Sequence, residues 1–215
     1  MQTTKEPQIG PNAIIQSVRV LQQRYGHSVT TAMLHQSSHL ALRHLPEALP
    51  ETMVPETLFH ALVAELEQQL GAVPTADVLE QAGHQTADYL LAHRIPRPFQ
   101  VVVRSLPKRA GLWLFLVAIK QHAWTFAGSG SFSTTGILSA PTPTLHLSLP
   151  PIARAPVAAF YAGTFRRLFQ VLITPACQVE LGAWEAPTVP AESYVKCLYR
   201  LHLMPARKEQ TSCVS

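Results

Sequence analysis

The stretch Thr144-Leu-His-Leu-Ser-Leu149 decides the fold class, because it alternates strictly between polar and apolar residues. A period of two residues is typical of a half-buried β-strand. The later stretches Cys177–Leu181 and Tyr194–Leu201 alternate in the same way. We predict that these two pair as antiparallel strands, so the second part of the chain contributes a small sheet.

The sequence on either side of the first strand has helical periodicity, with apolar residues recurring every three or four positions. Glycine and proline separate the segments. The predicted helices cover residues 12–25, 28–45, 55–70, 74–95, 112–126 and 157–173. The run of Gly, Ser and Thr from Gly128 to Gly136 predicts a turn or loop. Helices grouped with a small antiparallel sheet make the predicted fold class α+β.

The length of 215 residues suits a single domain. We expect this domain to cover residues 9–204, with helices packed on the small antiparallel sheet. The polar segments 1–8 and 205–215 are expected to be disordered ends. Charged residues make up 14% of the chain, well below the usual quarter or so. Such a surface favours a ligand cavity, a protein interface or a position next to a membrane.

The charge and hydropathy patterns argue against two classes of protein. The net charge of +4 is thinly spread, and its nearest approach to a cluster is Arg104, Lys108 and Arg109. A nucleic-acid-binding face needs a denser basic patch, so we expect no nucleic-acid partner. The longest apolar run, Leu112–Ile119, is shorter than the roughly 20 residues of a membrane-spanning helix. The N-terminus lacks the apolar core of a signal peptide, which favours a cytoplasmic location.

The chain has no dinucleotide or phosphate-binding fingerprint. Its glycine pair Gly128-Ser-Gly130 follows a predicted helix, so it does not present a helix N-terminus to phosphate. A reductase would need another source of hydride. Cys177, Cys197 and Cys213 are far apart, which predicts reduced thiols and no metal site.

The ten histidines form no metalloprotease motif, and no catalytic triad is recognisable from spacing, so catalytic residues remain unassigned. His35 and His39 lie one helical turn apart, which supplies only half of a metal site. His84 and Asp88 have the same spacing. That pair is compatible with a carboxylate that orients an imidazole, but a purely structural contact is the more frequent case.

The segment His122-Ala-Trp-Thr-Phe-Ala-Gly-Ser-Gly130 ends the most apolar predicted helix. His122 and Phe126 share a helix face, while Trp124 points elsewhere. A histidine and aromatic rings followed by small residues suit a flat aromatic ligand that approaches the backbone closely. The same residues are also compatible with a core position for the rings and a His122 favoured by the helix dipole.

Four stretches stand out together, namely Ile9–Ile14, Thr86–Pro96, His122–Gly130 and Phe160–Phe169. In this order they resemble the bacteriochlorophyll 4-vinyl reductase family, and the resemblance covers roughly residues 9–200. It implies the 4-vinyl reductase domain, whose fold is similar to that of a vesicle-tethering subunit with a buried acyl-chain pocket. The compact cysteine cluster of some members is not reproduced here, so the resemblance implies no metal.

The family name implies reduction of the 8-vinyl group of a divinyl chlorophyll precursor, and the family is also regarded as a tetrapyrrole carrier or helper. The missing nucleotide motif favours the carrier. The expected ligand is a Mg-porphyrin or chlorophyllide, bound without a covalent link, and NADPH is required only if the chain is the reductase. We expect pathway enzymes as partners and a cytoplasmic location or one peripheral to the photosynthetic membrane. The sequence leaves open whether the chain forms a homodimer. It also leaves open a third function, that of a subunit that only mediates protein interactions.

The expected ligand-binding residues come from two of these stretches and from the His84–Asp88 pair. They are His122, Trp124, Phe126, Gly128, Gly130, Tyr89, His84 and Arg94. The candidate axial ligands are His122, His84 and His93. Arg94, Arg97 or Arg104 could meet a propionate. If the chain is an enzyme, Tyr89 or His122 would supply the proton.

Overall fold

The computed structural model describes residues 6–185 and 194–203. Its helices are α1 (Asn12–Tyr25), α2 (His27–His35), α3 (Leu40–Arg43), α4 (Glu56–Leu70), α5 (Ala72–His93), α6 (Arg97–Ser105), α7 (Lys108–Gln121), α8 (Trp124–Ala127) and α9 (Pro156–Leu172). Its strands are β1 (Gln8–Ile9), β2 (Val54–Pro55), β3 (Ser131–Thr135), β4 (Thr144–Leu149), β5 (Gln178–Glu185) and β6 (Val195–His202). Residues 1–5 and 204–215, which include most of the two predicted disordered ends, lie outside the described residues.

The larger sheet has the strand order β3-β4-β6-β5, with every neighbouring pair antiparallel. The predicted strand Thr144–Leu149 is confirmed at both ends, and the predicted pairing of the last two strands is confirmed. Alternate residues of β4 are buried, as its sequence pattern requires. The α+β class with helices on a small antiparallel sheet is therefore confirmed.

Helix α9 covers the sheet and is the centre of the core. The ring of its Phe165 lies 5.7 Å from that of Tyr199 on β6. The Tyr199 hydroxyl donates a hydrogen bond to the α9 backbone at Ala158 O (3.1 Å). On its other side α9 crosses α5, where a Cβ at Gly83 or Gly163 would overlap a carbonyl oxygen of the facing helix. Glycine is needed there so that the two backbones can touch.

The predicted helix over residues 28–45 is wrong as a single element, because it divides into α2 and α3. Ser37 lies at the break. Its hydroxyl accepts a hydrogen bond from His39 N (3.1 Å), and its carbonyl accepts one from Arg43 Nε (2.7 Å). Such local bonds offer the backbone an alternative to the helix. The predicted helix ending near Phe126 is also interrupted, between Gln121 and Trp124.

Two further elements differ from the sequence prediction. Part of the predicted loop 128–136 is strand β3, which pairs with β4 from Ser131↔Ser148 to Thr135↔Thr144. Helix α6 begins at the Pro96-Arg-Pro98 segment, where prolines were expected only to end a helix. Proline is compatible with the first turn because the amide it lacks has no partner there. None of the described helices is both long and apolar enough to cross a membrane.

Candidate functional site

The four stretches that carry the family resemblance meet in the folded chain. Gly10 N, of the first stretch, donates a hydrogen bond to Thr125 O of the third (2.8 Å). The Tyr161 hydroxyl of the fourth stretch donates to Phe126 O of the third (2.7 Å). Thr86 Oγ1, of the second, lies 3.5 Å from a backbone oxygen of the first. Segments as far apart as residues 10 and 161 therefore contribute to one region of the molecule.

A glycine turn after α8 closes over a buried carboxylate in this region. Gly128 has a φ of +58°, and a Cβ at this position would overlap the Glu56 carboxyl group. The next residue, Ser129, donates its backbone N–H to Glu56 Oε2 at 2.9 Å. Glu56 is 6% exposed. Gly128 is thus required both by its backbone conformation and by the space that the carboxylate occupies.

His60 lies one helical turn after Glu56 on α4 and is equally buried, at 6% exposed. Its ring atom Nδ1 has no hydrogen-bond partner among the described residues. Burial lowers the pKa of His60 to about 4, against a smaller opposing effect of the Glu56 charge. The imidazole is therefore neutral near pH 7. Neutral imidazole is a common metal ligand, and it also forms hydrogen bonds through both ring nitrogens.

A continuous series of aromatic rings leads from His60 to the glycine turn. The ring centroids of Phe59 and His60 are 5.8 Å apart, and Phe59 lies 5.3 Å from Phe160. Phe160 is followed by Tyr161 at 5.4 Å, and Tyr161 lies 6.2 Å from Phe126. Burial raises the pKa of Tyr161 far above its ordinary value, with smaller contributions from Cys197 and Glu56. The hydroxyl therefore remains protonated and donates to the backbone.

The structure separates the predicted residues of the segment 122–130. Gly128 covers Glu56 and Phe126 ends the aromatic series, so both belong to the cluster that Glu56, His60 and these rings form. Gly130 lies against the Ser148 carbonyl of β4. His122 is exposed, with Nδ1 2.9 Å from a backbone oxygen of α7. The Trp124 side chain is 64% exposed. The two ends of this segment therefore face different surroundings.

The predicted residues of α5 form separate contacts. The Tyr89 and His93 rings are 4.9 Å apart, and the Arg94 guanidinium carbon lies 6.0 Å from the Tyr89 centroid. His84 Nδ1 is 3.8 Å from an oxygen of Asp88. Burial, and then a nearby arginine of α9, lower the pKa of His84. Among the described residues, no hydrogen bond or ring contact joins these side chains to Phe126.

Glu56, His60 and Tyr161 were not singled out from the sequence. A signal was present, since Glu56 and His60 have the same four-residue spacing as His84 and Asp88. Nothing local distinguishes the two pairs, however. The first is buried and the second is half exposed, and the turn at Gly128 and Ser129 that covers Glu56 is far from it in the sequence.

An open groove of about 950 Å³ lies elsewhere, between α5, α9 and β5. Small apolar residues such as Ala76, Ala159 and Ala162 line it, together with the ion pair Glu80–Arg166. Its volume is typical of a pocket for a small organic ligand. None of the ligand-binding residues predicted from the sequence lines this groove.

The described residues contain no group of three or more metal-ligating side chains. Cys177 and Cys197 are buried, and neither forms a disulfide with another described residue. Burial raises the pKa of Cys177 to about 11 and that of Cys197 to about 12. Both therefore remain thiols near pH 7. Cys213 lies outside the described residues.

No family model matches this chain. Its fold matches those of H-NOX proteins. A structure described as "Probing the function of heme distortion in the H-NOX family" has a TM-score of 0.59 at 10% identity, with 90% of this chain and 94% of that chain covered. For an unliganded Fe(II) H-NOX protein from K. algicida the TM-score is 0.55 at 10% identity, with 90% and 97% covered. Identities this low establish the fold alone.

Two relatives are similar in sequence over most of their length. The bacteriochlorophyll synthase 23 kDa chain of Rhodobacter capsulatus is 34% identical over 180 residues, which cover 81% of this chain and 80% of that protein. The protein of the same name from Cereibacter sphaeroides is 33% identical over 189 residues, covering 85% and 87%. The chain therefore belongs to the family of the bacteriochlorophyll synthase 23 kDa chain.

Proposed function

We propose that this chain takes part in bacteriochlorophyll biosynthesis by binding a tetrapyrrole precursor and presenting it to a pathway enzyme. The observation that carries the proposal is the buried, neutral His60, whose Nδ1 has no partner among the described residues. It lies beside the Glu56 carboxylate and the aromatic series, at the region where the four resembling stretches meet.

The names of the similar proteins support this assignment. The two relatives are named as a chain of bacteriochlorophyll synthase, which supports a place in that pathway. The descriptions of two structures of similar fold concern heme, itself a tetrapyrrole, and one of them names the H-NOX family. We expect this chain to use the same type of fold for a chlorophyll precursor.

The site combines an imidazole nitrogen, which can bind a metal, with aromatic surface, which can pack on a flat macrocycle. A magnesium tetrapyrrole has both of these parts. A buried polar atom without a partner costs about 1–3 kcal/mol, and a ligand that engages Nδ1 would offset this cost. His60 would then be the first candidate for the axial contact, and Phe126, Phe160 and Tyr161 would supply apolar and aromatic surface. Gly128 would keep the backbone close to the site.

The positions of the expected proton donors favour a carrier function over an 8-vinyl reductase activity. Tyr89 and His122 lie outside the cluster, in contacts of their own. Tyr161 lies inside it, but its proton is engaged by Phe126 O. Burial also holds that hydroxyl in its protonated form. A proton donor for a reduced vinyl carbon would need a pKa closer to the working pH.

The test is a titration of the purified chain with Mg-protoporphyrin, followed by its Soret absorption band and by tryptophan fluorescence. We expect a saturable shift of the band. His60→Gln should change the shifted spectrum and weaken binding at least tenfold, while His122→Ala should leave both unchanged. Far-UV circular dichroism of each variant verifies that it is folded.

Three outcomes would overturn parts of the proposal. The absence of any band shift or quenching with the wild-type chain would exclude a tetrapyrrole binder. A variant that fills the groove, Ala159→Trp, should bind normally, and loss of binding there with normal binding by His60→Gln would move the site to the groove. Turnover of a divinyl substrate with NADPH and no added protein would identify the chain as the reductase.

A further inference from the structure

The acidic residues of this chain are distributed very unevenly. Between Asp88 and Glu180 there is no aspartate or glutamate, while the same segment contains nine arginines and lysines. Three of these nine, on α9 or just before it, form ion pairs with carboxylates of α4 and α5. The other six form no ion pair among the described residues and are Arg94, Arg97, Arg104, Lys108, Arg109 and Lys120.

These six residues lie at the end of α5 and along α6 and α7. Arg109 is engaged by two backbone carbonyls, those of Ile137 (3.2 Å) and Ala140 (2.7 Å). The remaining five are exposed. The helices α6 to α8 therefore form a basic region, residues 97–127, that contains no negative side chain of its own.

The same region exposes large apolar side chains. On α7, Leu112, Phe115 and Leu116 are buried against the core, so the opposite face is the outer one. That outer face carries Trp113, which is 48% exposed, and Val117 one turn later at 37%. A soluble amphipathic helix normally places polar residues on this side. Helix α7 instead is apolar on both faces.

Helices α6 and α8 also expose large apolar side chains. Val101 and Val102 of α6 are 64% and 48% exposed, and Trp124 begins α8. Helix α6 packs directly on α7, since a Cβ at Gly111 would come within 2.6 Å of Val103 O. The outer sides of the two helices thus combine tryptophan and valine with arginine and lysine.

We propose that the outer face of α6, α7 and α8 binds the surface of a membrane that contains anionic lipids. Tryptophan is enriched at the membrane interface, because its ring is apolar and its N–H is polar. Helices that lie on membranes combine apolar side chains with Lys and Arg, which attract anionic headgroups. At 14 residues, α7 spans about 21 Å, so it can lie on a bilayer but cannot cross the roughly 30 Å hydrocarbon core.

An acidic protein is the other partner that the charge would suit. The arrangement favours lipid, because exposed arginines and lysines flank exposed tryptophan and valine on α6 and α7, which is the pattern of helices that lie on anionic membranes. Membrane binding and tetrapyrrole binding are tested separately. The titration described above contains no lipid, and the vesicle assay below contains no tetrapyrrole, so either proposal can fail without the other.

The test is co-sedimentation of the full chain with phosphatidylcholine vesicles, with and without phosphatidylglycerol. We expect binding to the mixed vesicles, little binding to the neutral ones, and weaker binding as salt is added. A basic residue near an anionic surface contributes about 1 kcal/mol, which corresponds to about fivefold in affinity. The double variant Arg104→Glu, Lys108→Glu should therefore bind at least about 25-fold more weakly.

A matched control reverses the same number of charges elsewhere. Arg19→Glu, Lys196→Glu changes two exposed residues outside the region and should lose much less affinity. Fluorescence provides a second readout, because the emission of Trp113 and Trp124 should shift to the blue on the vesicles. The double variant Trp113→Ala, Trp124→Ala should lose that shift, although Trp184 remains.

Several results would contradict the proposal. Equal binding to neutral vesicles would remove the role of charge, and equal losses in the two charge-reversal variants would remove the role of this face. Absence of vesicle binding at low salt, in a chain that is folded by circular dichroism, would overturn the proposal and leave an acidic protein as the partner to be sought.

Discussion

The buried His60 predicts a specific loss of stability in acid. In the unfolded chain a histidine takes up a proton near pH 6.5, whereas burial lowers the pKa of His60 in the folded chain to about 4. Between these values the unfolded state binds more protons than the folded state. The free energy of unfolding must therefore decrease as the pH falls from about 6.5 to about 4.

The size of the effect follows from the difference between the two pKa values. At roughly 1.36 kcal/mol for each pKa unit, it amounts to about 3 kcal/mol. This is a large fraction of the roughly 5–15 kcal/mol that stabilises a typical domain. His60→Gln cannot take up this proton, so the difference in stability between wild type and variant should shift by about that amount in favour of the variant.

The assay is urea denaturation of both proteins at several values between about pH 4 and pH 7, followed by far-UV circular dichroism. Other groups also titrate in this range, but they are common to both proteins and cancel in the difference. His27→Gln, a substitution of an exposed histidine, is the matched control and should follow the wild type. If wild type and His60→Gln lose stability in parallel, the burial argument for His60 is refuted.

Three other substitutions test the packing that supports the site. Gly83→Ala would force a methyl group onto the Phe160 carbonyl where α5 crosses α9, and should cost about 1–3 kcal/mol or more in chemical denaturation. Tyr161→Phe removes the donor to Phe126 O and leaves a carbonyl without its partner, so we expect a loss of about 1–3 kcal/mol in the same assay, and an unchanged midpoint would contradict the bond. Arg154→Ala breaks an exposed ion pair with a glutamate of α4 and should cost less than about 1 kcal/mol, so a larger loss would mean that the pair is more than a surface contact.

Local sequence pattern was enough to predict the elements that have one apolar, buried side and one polar, exposed side. The strand Thr144–Leu149 and the helix over residues 12–25 have the predicted limits, because alternation and helical spacing reflect one buried side. Strand β3 was missed for the opposite reason. The segment Ser131-Phe-Ser-Thr-Thr135 has a single large apolar residue, and it becomes a strand through its hydrogen bonds to β4.

For the site, too, the sequence predicted what depends on local motifs and missed what depends on contacts between distant segments. The sequence alone identified the four stretches of the family resemblance, and the similarity to the two bacteriochlorophyll synthase chains supports the pathway that they suggested. The residue that the sequence favoured as axial ligand, His122, is exposed at the end of α7. The assignment of ligand residues stays a prediction that the titration has to decide.

By itself the sequence determined the α+β class, the order of most elements and the bacteriochlorophyll pathway, because each depends on residue types at short spacing or in a set order. Only the tertiary structure decided that Gly10, Phe126 and Tyr161 meet near Glu56. It also decided that His60 is buried with Nδ1 unpartnered among the described residues. Burial is set by contacts between segments that lie far apart along the chain, and no local pattern contains that information.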